Sequence, residues 1–146
     1  PLDLPAQEYE TEGLWFHVPE AIERAVQAAG RDLAGGLHAV EHVCIGVLPL
    51  LAMCDRADIG GLSTPAHPDT GVSQVFIYDG HPGGVGIARE GWRVVEELWA
   101  RARDRTRECP CEEGCPSCVQ SPKCGNNNTP LDKAAAIDIL TRLLGA

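Results

Sequence analysis

Apolar positions in residues 36–54 recur at helical spacing, with Leu37, Val40, Cys44, Val47, Leu48 and Leu51 on one stripe. Pro49 falls inside that pattern and predicts a kink or a split. Residues 12–18 are aromatic and β-branched, which suits a strand. Pro19 then suits the first turn of a helix running to about Ala29, where Gly30 stops it. Residues 55–73 carry Gly60, Gly61, Pro65, Pro68 and Gly71 and read as loop. The run Gln74-Val-Phe-Ile-Tyr78 reads as a buried strand. A third helix is expected over roughly 85–107, with Trp92, Val95, Leu98, Trp99 and Ala102 on one face. A last helix is expected from Thr129, capped by Thr129 and Asp132 around Pro130, with Ile137, Leu140 and Leu144 inward. Together these elements predict a helix-rich α/β fold: a small β-sheet packed by about four helices.

The chain has 146 residues, the size of one domain, and 44% of them are apolar, enough for a core. Residues 1–8 read as linker and 9–146 as a single domain. No stretch of about 18 uncharged apolar residues occurs, so no membrane partner is expected. No basic region followed by an apolar run opens the chain, so no signal peptide is expected. The chain starts at Pro1 and its only methionine is Met53, which reads as a piece of a longer protein. A net charge of −9 argues against a domain devoted to gripping phosphates. Six of the twelve Lys and Arg residues nevertheless fall between Arg89 and Arg107, so one basic face is compatible with the acidic average.

Cysteine placement changes the picture most. Five of the seven cysteines lie between Cys109 and Cys124. A secreted disulfide scaffold spreads its cysteines along the chain, whereas this cluster favours metal and a reducing cytoplasm. The centre is Cys115-Pro-Ser-Cys118, a tight pair that binds one ion from a turn. Cys111 and Cys124 flank it and complete four thiolates around a structural zinc, with residues 109–128 as a loop between the last two helices. Cys109 is the spare and can take the place of Cys111. An iron–sulfur centre is the rival for four cysteines, and free or disulfide-linked cysteines are the plainer reading. Cys44 lies on the apolar stripe and is expected in the core, as is Cys54.

Two further patterns invite chemistry. His38-Ala-Val-Glu41-His42 matches the inverted zinc-peptidase motif, with both histidines on one helix face. Such an enzyme needs a third ligand, which His67 or His81 would have to supply, and a position open to water. Histidines hydrogen-bonded within the fold are the favoured reading. The run Gly80-x-x-Gly83-Gly84-x-Gly86 follows a strand and opens a helix, as phosphate-binding turns do. Neither known phosphate fingerprint is present, so a tight strand-to-helix turn is expected instead.

The whole set resembles one family. It comprises Glu41 and His42 with His38, then Val75–Asp79, then Gly83-Gly84-x-Gly86. The Cys109-x-Cys111-x3-Cys115-Pro-Ser-Cys118 run follows, with Cys124-Gly-x-x-Asn128 and Leu131-Asp132-Lys133. This looks like the C-terminal zinc-binding domain of MrfA-type superfamily 2 DNA helicases. The resemblance implies a longer parent, an ATP-dependent 3′-to-5′ DNA helicase of DNA repair. Its motor domains, which hold ATP and Mg²⁺, would be the partners of this domain. It implies zinc on Cys111, Cys115, Cys118 and Cys124, with Cys109 an alternative. No P-loop or Asp-Glu-x-His box appears in these residues, so catalysis is not expected of this part. DNA contact is expected to be weak and to phosphates, through the Arg89–Arg107 helix. A stand-alone zinc hydrolase using His38, Glu41 and His42, or a zinc-dependent protein-interaction module, are the alternatives.

Overall fold

A computed structural model describes residues 3–145; the first two positions of the expected linker lie outside them. The strands are β1 (Gly13–His17), β2 (Ile59–Thr64) and β3 (Gln74–Asp79). The helices are α1 (Glu20–Ala28), α2 (Leu33–Val47), α3 (Pro49–Ala52), α4 (Ile87–Arg93), α5 (Val95–Glu108) and α6 (Lys133–Leu143). The expected helix-rich α/β fold around a small sheet is present. Residues 3–8 are exposed and belong to no helix or strand.

The sheet is antiparallel in the order β1-β3-β2. Its register pairs Leu14 with Ile77 and Phe16 with Val75, so one face is apolar and turned to the helices. Strand β2 lies where a loop was expected. Its glycines lower local strand preference, but the packing requires them. A Cβ on Gly60 would fall 2.5 Å from the Tyr78 ring, and one on Gly61 would fall 2.7 Å from Ile45 and 2.9 Å from Glu41.

Helix α2 forms the centre. It begins at Leu33, before the expected Gly36, because the Asp32 side chain accepts from Ala34 N–H and caps it. Pro49 splits the predicted long helix into α2 and α3, since it has no N–H to continue the ladder. The span Leu33–Ala52 is long and apolar enough by composition to cross a membrane, yet 72% of its most apolar window is buried inside the protein. Burial runs almost all round α2 and includes His38, Glu41 and His42. Gly36 sets the crossing with α6: a Cβ there would fall 2.6 Å from the Ala135 Cβ.

Local expectations for the third and last helices are corrected. The helix over 85–107 breaks at Val94 into α4 and α5, because α4 packs on β1 and β3 while α5 packs on α2 and α6. That turn leaves Trp92 60% exposed, outside the buried row of Leu98 and Ala102. Helix α6 starts at Lys133 and not at Thr129. Asp132 caps it by accepting from Ala135 N–H at 2.8 Å, while its other oxygen accepts from Asp32 N–H at 2.9 Å. One carboxylate therefore joins the starts of α2 and α6. The inward face of α6 is Ala135, Ala136, Ile139 and Leu140. Cys44 is in the core, and Cys54 packs half-buried against it.

The glycine-rich turn carries its own anion. The fully buried Asp79 carboxylate accepts from Val85, Gly86, Ile87 and Ala88 N–H at 2.6–3.3 Å, which satisfies the start of α4. The amides a phosphate would need are occupied, in keeping with a tight strand-to-helix turn. Asp79→Ala leaves buried donors unsatisfied. It should lower stability by about 3 kcal/mol and the thermal midpoint by roughly 6–12 °C. Melting curves check this, and a midpoint within about 2 °C of wild type would refute it.

Candidate metal centre

The segment after α5 has little to bury, and Val119 is its only aliphatic side chain. Its order must come from polar contacts or metal. Four sulfurs converge: Cys109, Cys111, Cys115 and Cys118, with their Sγ atoms all within 4.8 Å of one another. The Cys109–Cys115 and Cys111–Cys118 separations are 3.5 Å, and Cys115–Cys118 is 4.0 Å. Four sulfurs at about 2.3 Å from one zinc stand about 3.8 Å apart in a tetrahedron. The spacing fits a single ion; a cluster of several irons holds its thiolates farther apart.

Cys124, expected as the fourth thiolate, does not join this set, and Cys109 stands in the fourth place. The reason is the tether on residues 121–128. Ser121 N–H donates to Asn128 Oδ1 at 2.7 Å and Asn128 Nδ2 donates back to Ser121 O at 3.1 Å, closing the loop on itself. Asn127 and Asn128 take positive φ, which asparagine tolerates. Lys123 Nζ donates to Arg56 O and Ile59 O, fastening the loop beside β2. Cys124 is thereby drawn to α2, where its Sγ lies 3.5 Å from His38 Nε2.

Lys133, quoted at the start of α6 only as part of a motif, proves to be part of the centre. Its Nζ donates to Cys109 O at 2.8 Å, to Cys111 O at 2.5 Å and to Cys111 Sγ at 3.2 Å. Its signal in the sequence is its place directly after the Asp132 cap. Four thiolates around a divalent ion carry net charge −2, and an ammonium at the sulfurs offsets part of it. Burial opposes ionisation of Cys111, but hydrogen bonds from Lys133 and the neighbouring thiols outweigh it and bring its pKa down to about 6. Burial instead pushes the Cys118 thiol up to about 12. Thiols this close oppose one another's ionisation, and a bound cation is what makes all four thiolates compatible.

The histidines are hydrogen-bonded, as favoured. His38 Nδ1 donates to Pro130 O at 2.7 Å and His42 Nδ1 to Val119 O at 2.8 Å. Burial holds the His42 pKa down at about 4, so its ring is neutral near pH 7. Burial raises the Glu41 pKa, against a lowering hydrogen bond from Ser63. His81 pairs instead with Asp58 at 2.9 Å, and His67 packs against Phe76, so neither joins them.

Residues 40–119 match the family model described as MrfA Zn-binding domain. The chain belongs to that family. The MrfA Zn-binding domain of this chain is 39% identical over 113 residues to Uncharacterized protein MJ1572.1 of Methanocaldococcus jannaschii, covering 74% of this chain and 99% of that protein. It is 32% identical over 119 residues to Uncharacterized ATP-dependent helicase YprA of Bacillus subtilis, covering 82% of this chain but 16% of that helicase. In three dimensions the domain superposes on the DUF1998 helicase MrfA bound to DNA with a TM-score of 0.70 and 26% identity, covering 98% of this chain and 18% of that one. The chain thus spans a small part of its helicase relatives and nearly all of its archaeal one. This family match does not favour the stand-alone hydrolase. The family's metal and the sulfur geometry agree on zinc.

Lys133→Met keeps the volume of the side chain and removes its charge. Zinc affinity should fall by about 10–100-fold, as for other outer partners of metal ligands. Competition with a chromophoric chelator measures it, and an affinity equal to wild type would show that Lys133 serves packing alone.

Proposed function

We propose that this chain is the C-terminal zinc-binding accessory domain of a longer ATP-dependent 3′-to-5′ DNA helicase of DNA repair. One observation carries the reading: 98% of the chain superposes on 18% of a helicase bound to DNA. Motor domains elsewhere in the same longer protein would bind ATP and Mg²⁺. They are the domain's main partners. The zinc ligands are Cys109, Cys111, Cys115 and Cys118, supported by the sulfur spacing and by Lys133. Reduced thiolates suit a cytoplasmic protein. The ion joins the end of α5 to the start of α6, because Lys133 reaches from the first residue of α6 to the carbonyls of Cys109 and Cys111. Its role is structural: it orders the segment between α5 and α6.

DNA contact through α4 and α5 is limited by pairing. Arg89, Arg93, Arg101 and Arg103 already face Glu12, Glu90, Glu97 and Asp104. Arg105 and Arg107 have uncharged partners, Ser117 O and the Thr141 hydroxyl. Two phosphates contacted by this domain correspond to a salt slope of magnitude about 2. Fluorescence anisotropy of the domain with duplex DNA across a salt series should give that shallow slope and no sequence preference. A steep slope or a sequence preference would contradict it.

In the full-length protein, Cys109→Ser and Cys115→Ser should each remove this zinc and slow unwinding of a 3′-tailed duplex. The isolated domain should turn over no ATP. Elemental analysis beside unwinding and ATPase assays reads each outcome. A full-length protein that neither hydrolyses ATP nor unwinds DNA would overturn the proposal, as would a domain that hydrolyses ATP by itself.

A further inference from the structure

A second cluster of ligand atoms lies apart from the four-cysteine centre. His38, His42 and Cys124 each bring one ligand atom within 4.8 Å of the other two. The histidines sit one turn apart on α2, and their ring centroids are 4.2 Å apart. Cys124 comes from the tethered loop on the other side.

The hydrogen bonds around the three residues decide which of their atoms are free. Both Nδ1 atoms face backbone carbonyls, so both must carry the proton and donate it. Each neutral ring then has its lone pair on Nε2. A histidine held through its other nitrogen by a carbonyl is the usual outer support of a metal-bound imidazole. On the loop side, Asn128 N–H donates to Cys124 Sγ at 3.3 Å, which fixes where the sulfur points. The Cys124 Sγ to His38 Nε2 separation is 3.5 Å. Nitrogen at about 2.05 Å and sulfur at about 2.3 Å from one tetrahedral zinc stand about 3.6 Å apart. Glu41 is buried one residue before His42 on the same helix and lines the same cavity.

We propose that His38 Nε2, His42 Nε2 and Cys124 Sγ form a second zinc site, distinct from the four-cysteine centre. Its ligands are borderline to soft, which selects zinc over magnesium or calcium. All three line a cavity of about 590 Å³ shared with Tyr9, Ser63, Tyr78 and Lys123, so the fourth position opens to solvent. The ion fastens the 121–128 loop to α2. Val119 links the two sites, because its carbonyl holds His42 and it directly follows Cys118. The inference rests on these residues alone and is independent of the helicase reading.

The test is metal counting on the purified chain after equilibration with buffered zinc. The wild type should hold two zinc ions. Cys124→Ala and His42→Gln should each hold one, with the four-cysteine ion retained. Circular dichroism shows whether each variant is folded. Should one unfold, alkylation of wild-type Cys124 provides the second measurement: it should be slow with zinc and speed up at least tenfold when a chelator strips the metal. One zinc in both wild type and Cys124→Ala would overturn the proposal. So would a second ion that persists in Cys124→Ala, or alkylation of Cys124 that ignores zinc.

Discussion

The close crossing of α2 and α6 at Gly36 is the constraint on which the rest depends. With no side chain at Gly36, the Ala135 methyl sits against the α2 backbone, and Ile139 approaches the same position. The same crossing brings Asp132 over the start of α2, where it accepts from Asp32 N–H while capping α6. A wider crossing would separate those groups and withdraw Lys133 from the cysteines. It would also withdraw the Pro130 carbonyl from His38. Helix packing distance and site geometry are therefore the same quantity in this protein.

The cysteine segment answers a different physical problem. It is short of apolar side chains, so burial alone cannot order it. Its two halves are held by different means. Residues 109–118 bring together four sulfurs and take a cation's charge from Lys133. Residues 121–128 use a reciprocal pair between Ser121 and Asn128 and an anchor through Lys123. This division explains why five cysteines so near in sequence do not form one set. Charge follows the same economy on α4 and α5, where four of six arginines meet carboxylates. A cluster of arginines in the sequence is for the most part a set of ion pairs on the surface.

Local signals were legible where the cause is local. Gly30 ends α1 because it takes φ of 73° and lets Gly30 and Arg31 N–H reach back to Gln27 and Val26. Pro49 splits the second helix for want of an N–H. The alternation of Leu14, Phe16, Val75 and Ile77 yields a sheet with one buried face. Strand β2 was not legible, because Gly60 and Gly61 are there for Tyr78, Ile45 and Glu41. The break at Val94 was not legible either, because it follows from α4 and α5 packing against different partners.

Taken alone, the sequence determined a helix-rich domain with a thiolate metal centre, through cysteine spacing and the resemblance of its motifs. Chain connectivity decides such things, since Cys115 and Cys118 stay close in any fold. Which cysteines meet was decided by tertiary structure. Cys124 is only six residues from Cys118, yet the Lys123 anchor beside β2 turns it toward His38. Spacing along the chain limits how far a ligand can reach. The partners that hold its loop choose where it goes.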